Sequence, residues 1–199
     1  VEEELYVGWP EVVVDVAEEE GEDSKFYMFY STMTKEGKEK AIACAVSPDG
    51  FRWEKKGVCL RPSQGEEDAA GCARCNVVKD AIYDVEKDDW VYKPGGGWTM
   101  FYEGVAKEDG KHRIMRAVSK DGFQWTKTGV VLDVGQGDDW DCNGVGSPSV
   151  LRMDDGSIRM YYTGVGPDQT TAIGIAKTID EDGVGFEREQ AQFTFTDKE

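Results

Sequence analysis

The sequence predicts an all-β protein: a β-propeller of four-stranded antiparallel blades, with about three blades present as a partial or open ring. Three observations predict it. Residues 26–60 and 98–132 align without a gap at an offset of 72 and share 17 identities. Short runs rich in Val, Ile, Phe, Tyr and Trp are separated by clusters of Gly, Asp, Asn and Pro, the mark of strands and turns, and helix signals are almost absent. A third, looser copy follows, with Met160-Tyr161-Tyr162 where the others have Met28-Phe29-Tyr30 and Met100-Phe101-Tyr102. Each such repeat is one supersecondary unit that cannot bury its faces alone, so the units must stack.

Within a single domain over 1–199 the repeats span approximately 5–62, 68–134 and 141–197, with four runs in each. In the first repeat the runs fall at about 11–16, 25–31, 40–47 and 51–60. In the second they fall at about 75–84, 97–103, 112–119 and 123–132, and in the third at about 148–153, 157–163, 171–177 and 184–195. The Met-aromatic-Tyr run reads as a central strand, apolar on both sides because blades pack face to face. Ser47-Pro48-Asp49-Gly50-Phe51-Arg52-Trp53 and Ser119-Lys120-Asp121-Gly122-Phe123-Gln124-Trp125 read as turns between third and fourth strands. Asp caps the turn backbone, Gly takes positive φ, and Trp folds back onto the sheet. Glu18 to Asp23, Lys93 to Gly97 and Asp154-Asp155-Gly156 read as surface hairpins. Propellers close with about four to eight blades. Three blades leave two raw faces, so either the rest of the ring is absent from this chain or the faces dock onto something else.

With 40 acidic and 23 basic residues, the net charge of −17 argues against electrostatic binding to nucleic acid, an anionic membrane or an anionic polymer. Neutral sugars, cations and basic protein surfaces remain. No apolar stretch reaches membrane-spanning length. The start at Val1, without Met, leaves the compartment open and is compatible with processing for an organelle or for export. Five cysteines, an odd number, cannot all pair within the chain. Cys72 and Cys75 form a lone CxxC. Zinc needs two further ligands, and the single histidine, His112, lies in the outer half of the second repeat with no partner pattern. The pair reads as small residues packed near the axis, with metal binding or redox chemistry as the alternatives and its redox state open. No metal and no cofactor is expected.

At the blade phrases Met160-Tyr161-Tyr162-Thr163-Gly164, Met100-Phe101-Tyr102-Glu103-Gly104 and Ala117-Val118-Ser119-Lys120-Asp121-Gly122 the chain resembles the five-bladed propeller glycosidases of the arabinanase, levansucrase and invertase superfamily. A sialidase-like propeller is the nearest rival, but its Asp-box has one more residue between Asp and Gly. The resemblance implies carboxylates on the innermost strands, facing a central channel and often directly before a proline, with one acting as general acid and another as base or nucleophile. The inner strands align as Gly8-Trp9-Pro10-Glu11-Val12, Ala73-Arg74-Cys75-Asn76-Val77 and Gly146-Ser147-Pro148-Ser149-Val150. Trp9, Arg74 and Ser147 therefore stand where the resemblance implies carboxylates, and none can serve as acid or base. They are instead candidate ligand-binding residues, with Trp9 able to stack on a sugar ring.

Other carboxylates are candidates if the chain is active: Glu11, Glu103, Asp68 and Asp141. Asp68 and Asp141 stand seven residues before Cys75 and Pro148, as Glu3 stands before Pro10. Recurrence at one offset points to a structural aspartate tying the incoming loop to the inner strand, against a ring facing a ligand or metal. Asp138-Asp139-Trp140-Asp141 is the densest acidic run, readable as a solvated loop or an oxygen-ligand Ca²⁺ site. The sequence thus favours a non-catalytic glycosidase-like propeller that binds a protein partner through open blade faces or acidic loops, as an accessory subunit. The alternatives are a glycoside hydrolase acting on a neutral arabinan- or fructan-like polysaccharide, and a lectin-like sugar binder.

Overall fold

A computed structural model describes residues 3–15, 24–93, 95–153, 155–179 and 184–190. Among them the chain is all β. The first sheet is β1 (Glu4–Asp15), β2 (Lys25–Thr34), β3 (Lys40–Ser47) and β4 (Glu54–Leu60), antiparallel in that order. In the second repeat come β5 (Gly71–Lys79), β6 (Ala81–Asp84), β7 (Asp89–Tyr92), β8 (Trp98–Val105), β9 (His112–Ser119) and β10 (Trp125–Leu132). Its four-stranded sheet has the order β5-β8-β9-β10, while β6 and β7 pair only with each other. The third sheet is β11 (Gly144–Arg152), β12 (Ile158–Val165), β13 (Thr171–Thr178) and β14 (Phe186–Gln190). These are three consecutive propeller blades.

The predicted run at 75–84 is therefore two strands. Asp80 divides it: its backbone N–H donates to the Gly97 carbonyl, its carbonyl accepts from Lys93, and its carboxylate accepts the Gly97 N–H at 2.9 Å. That knot turns the chain out of the blade into the β6–β7 hairpin. The predicted run at 51–60 becomes strand only from Glu54, because residues 47–53 are consumed by the turn. Ser47 Oγ accepts the Gly50 N–H at 2.9 Å, Asp49 Oδ1 accepts the N–H groups of Phe51 and Arg52, and Trp53 Nε1 donates to the Gly50 carbonyl at 3.0 Å. Ser119, Asp121 and Trp125 repeat the pattern, and Gly50 and Gly122 both sit at φ 75°. Glu18 to Asp23 lie outside the described residues, as do Asp154 and the end of the predicted 184–195 run.

Blades stack by interleaving two kinds of face. Phe29, Ile42 and Cys44 on the first blade pack against Cys75, Val77, Met100, Tyr102, Met115 and Ala117 on the second. Phe101 and Ile114, the counterparts of Phe29 and Ile42, pack against Val150, Met160, Tyr162 and Ala176 on the third. Edge-on contact of Phe29 with Trp125, rings 5.7 Å apart, adds to the first interface. Each repeat thus supplies a leading face to the blade before it and a trailing face to the blade after it.

A clasp recurs at the edge of each blade. Asp68 accepts the Tyr102 hydroxyl at 2.9 Å and pairs with Lys127. Asp141 accepts the Tyr162 hydroxyl at 2.9 Å and pairs with Arg188 at 2.9 Å. In the first blade the corresponding acid is Glu4, paired with Lys55 beside Tyr30. Glu3 of the aligned offset pairs instead with Lys35. An irregularity between Glu4 and Tyr6 in β1 absorbs one residue, which shifts the acid by one position. Burial first, then the neighbouring carboxylate, pushes all three tyrosines above the ordinary range.

A candidate binding site at the blade bulges

The three aligned positions share one backbone conformation. Trp9, Arg74 and Ser147 lie at φ 47°, 42° and 51°, a left-handed region that costs a non-glycine residue about 1–2 kcal/mol. Each marks a β-bulge, seen as register shifts between Gly8 and Glu11, Ala73 and Asn76, and Gly146 and Ser149. Bulges re-aim side chains and recur beside functional sites.

Two hydrogen-bond relays hold them. The Arg74 N–H donates to Ser31 Oγ at 2.8 Å, and one blade later the Ser147 N–H donates to Glu103 Oε2 at 3.0 Å. Ser31 and Glu103 are equivalent by the 72-residue offset. Two residues past the bulge, Glu11 accepts Asn76 Nδ2 at 2.6 Å, and Asn76 Oδ1 accepts the Val150 N–H at 3.0 Å. Burial raises the Glu11 carboxyl above its ordinary value, against the opposing bonds from the Val77 N–H and Asn76.

Around the first two bulges lies a cavity of about 300 Å³ whose lining includes Tyr6, Trp9, Lys40, Arg74, Glu103 and His112. Arg74 stacks on the Trp9 ring at 4.6 Å and directs Nη1 to both Glu103 oxygens, at 3.2 and 3.1 Å. His112 Nδ1 lies 2.7 Å from Glu103 Oε1. Burial pushes Glu103 up, but His112, Arg74 and the Ser147 N–H outweigh it and hold the carboxyl below its ordinary value. Glu103 is thus an ionised, buried carboxylate with its oxygens engaged by three donors. It orients Arg74 and His112, and has no proton to give.

Trp9 and Arg74 are brought together at one cavity, while Ser147 joins through its backbone to Glu103. Asp68 and Asp141 sit inside the clasps, and Glu11 is tied to Asn76. Asp139 caps the Gln136 N–H at 2.9 Å while Asp141 turns to Tyr162, so the acidic run splits its carboxylates. Among the described residues no group of three metal-ligating side chains assembles. Cys72 and Cys75 are buried free thiols flanking the second bulge, and burial pushes both thiols up. His112, which the sequence raises only as a lone candidate zinc ligand, pairs with Glu103 and lines the site. The hairpin register was the available signal. Glu103 pairs with Ile114 across β8 and β9, which makes His112 its diagonal neighbour.

No protein-family profile and no curated protein matches the chain. Solved structures do. A family 117 glycoside hydrolase from Zobellia galactanivorans superposes with a TM-score of 0.64 at 18% identity, covering 83% of this chain and 51% of its own. A β-1,2-mannobiose phosphorylase from Listeria innocua gives 0.62 at 15% identity, over 82% of this chain and 40% of its own. A glycosyl hydrolase from Bacteroides ovatus gives 0.62 at 17%, over 92% and 50%. The chain therefore has the fold of the glycoside hydrolase propellers and spans about half the length of these neighbours.

Proposed function

We propose that these blades form a non-catalytic module of a glycosidase-type propeller, which holds a carbohydrate at the Trp9–Arg74 cavity and joins a larger assembly through its open blade faces. One observation carries the reading. The three bulge positions hold Trp, Arg and Ser, and the carboxylate beside them, Glu103, is engaged by three donors. Glycoside hydrolysis needs a protonated acid and a free carboxylate flanking one bond.

The assembly half is supported by the uncovered faces. On the leading face of the first blade, Val7, Pro10, Met28, Tyr30, Ala45 and Trp53 line an apolar groove of about 370 Å³. Their counterparts on the second blade, such as Met100 and Tyr102, are buried under the first. On the third blade Ile173 is 38% exposed, whereas Ile42 and Ile114 at the same position are fully buried. No helix among the described residues is long and apolar enough to cross a membrane.

A hydrolase remains the second reading. The glycoside hydrolases among the structural neighbours favour it, as does the opposite displacement of Glu11 and Glu103, the pattern of an acid and a base. Against it, Glu11 bonds to Asn76 and does not line the cavity that Glu103 lines. The test is incubation of the purified chain with arabinan, fructan and a panel of aryl glycosides. No turnover is expected. Turnover abolished by Glu11→Gln or Glu103→Gln would establish the hydrolase and overturn the non-catalytic reading.

A further inference from the structure

Resting on the carbohydrate half of that reading, we infer that the cavity at the first two bulges takes a sugar bearing a carboxylate, a uronic acid residue. The cavity runs against the charge of the chain. Its lining carries two permanent cations, Lys40 and Arg74, and a histidine, against the single carboxylate of Glu103. Lys40 is exposed, and its ammonium has no hydrogen-bond or ion-pair partner among the described residues. Arg74 uses only Nη1 on Glu103, so Nε and Nη2 stay without a partner among the described residues. Those two N–H groups form one edge of the guanidinium fork, the edge that matches a carboxylate with two parallel hydrogen bonds.

Glu103 makes this edge usable. It pins the opposite side of the guanidinium while Trp9 supports its plane at 4.6 Å, so the free edge is pre-oriented. Half of Trp9 remains exposed, with Tyr6 tilted against it at a ring separation of 5.6 Å. That aromatic corner suits the C–H face of a pyranose, whose apolar patch stacks on rings while its hydroxyls stay hydrated. An inorganic anion would leave the aromatic corner and most of about 300 Å³ unfilled. The acidic bulk of the chain does not forbid the ligand, because exposed charges farther than about 8 Å are largely screened at physiological salt.

Isothermal titration of the full chain decides the matter, using a trisaccharide ending in β-glucuronate, its β-glucoside counterpart, and acetate. The expected result is binding of the glucuronide at least tenfold tighter than the glucoside, with acetate weaker than either. Lys40→Ala and Arg74→Lys should each bring the glucuronide toward the glucoside. Lys40 is exposed and its ammonium has no partner among the described residues, so its variant keeps the test informative if Arg74→Lys disturbs the fold. Trp9→Asn, which tolerates the left-handed backbone, should weaken both sugars. Equal binding of the two sugars overturns the inference and leaves the carbohydrate reading standing. A glucuronide preference untouched by both cation variants, or acetate binding as tightly as the glucuronide, also overturns it. Binding of neither sugar overturns the carbohydrate reading itself, and this inference with it.

Discussion

Replacing Asp68 by alanine removes the centre of the second blade's clasp. Its carboxylate is fully buried and receives the Tyr102 hydroxyl at 2.9 Å, the Ser63 N–H at 3.0 Å and the Cys72 thiol at 3.3 Å, besides the Lys127 ammonium. Truncating one partner of a buried ion pair costs about 3–5 kcal/mol, because the other charge stays behind without compensation. Lys127 also donates to the Arg61 carbonyl at 2.6 Å and to Ser63 Oγ at 2.8 Å, which softens the loss. About 3–4 kcal/mol is therefore expected, or a fall in Tm of roughly 6–16 °C for a chain of this size. Tyr102→Phe removes one hydrogen bond and leaves the ion pair, so it should cost only about 1 kcal/mol. Asp68→Ala with Lys127→Met removes both charges and should recover part of the single-variant loss. Urea unfolding followed by tryptophan fluorescence measures all three. An Asp68→Ala cost of about 1 kcal/mol or less, or a double variant no better than the single, would refute the clasp as a buried ionic centre.

Glu103 has a folded pKa below the ordinary 4.5, so its contribution to stability is present above that value and is lost as pH falls through the folded value. The Tm difference between wild type and Glu103→Gln should be largest near neutrality and shrink as pH falls below 4.5; a difference independent of pH counts against the Arg74–His112–Glu103 cluster. At Gly122 an added Cβ would meet Trp98 at an ordinary 3.6 Å, so Gly122→Ala should cost only the left-handed backbone, about 1–2 kcal/mol, with Gly122→Asn milder in the same urea assay. Equal stability of wild type, Ala and Asn would mean the turn does not require positive φ. Burial pushes the Cys44 thiol up to about 12 and those of Cys59, Cys72 and Cys75 well up as well. Iodoacetamide at mild alkaline pH should therefore leave Cys44, Cys59, Cys72 and Cys75 unlabelled in the native chain by peptide mass mapping and alkylate all four after denaturation. Rapid native labelling would contradict this burial.

The blade architecture was legible because repetition exposes it: Met-aromatic-Tyr recurs in the second strand of every four-stranded sheet, and Ser-x-Asp-Gly-x-x-Trp in two of the turns between third and fourth strands. The bulges were legible only as an alignment. Trp9, Arg74 and Ser147 fall at one position in the pattern, but nothing in their identities announces a left-handed backbone, which tertiary hydrogen bonds enforce. The Glu3-to-Glu4 slip and the Asp80 break were hidden for a related reason. One depends on a single-residue irregularity in β1, the other on a carboxylate folding back to Gly97. His112 was missed because its partner lies across a hairpin, where register rather than sequence spacing sets the contact.

The relays explain how strained bulges persist with Trp, Arg and Ser at their tips. At Arg74 and Ser147 the bulge backbone N–H is the link to the preceding blade, received by Ser31 and by Glu103. The side chain at the bulge differs between blades because the amide makes the link; the position that receives it supplies an oxygen acceptor, Ser31 in one blade and Glu103 in the next. In the second blade that acceptor is the buried carboxylate of Glu103, which also holds Arg74 and His112. The same logic reaches the third blade. Thr163 stands where Ser31 and Glu103 stand, and Ser149 where Glu11 and Asn76 stand. Among the described residues neither hydroxyl makes a hydrogen bond. With Ile173 exposed beside them, the third blade carries both the acceptors and the apolar centre that the first two use to hold a following blade. The trailing face of the third blade thus presents the same kinds of group that the first two blades bury.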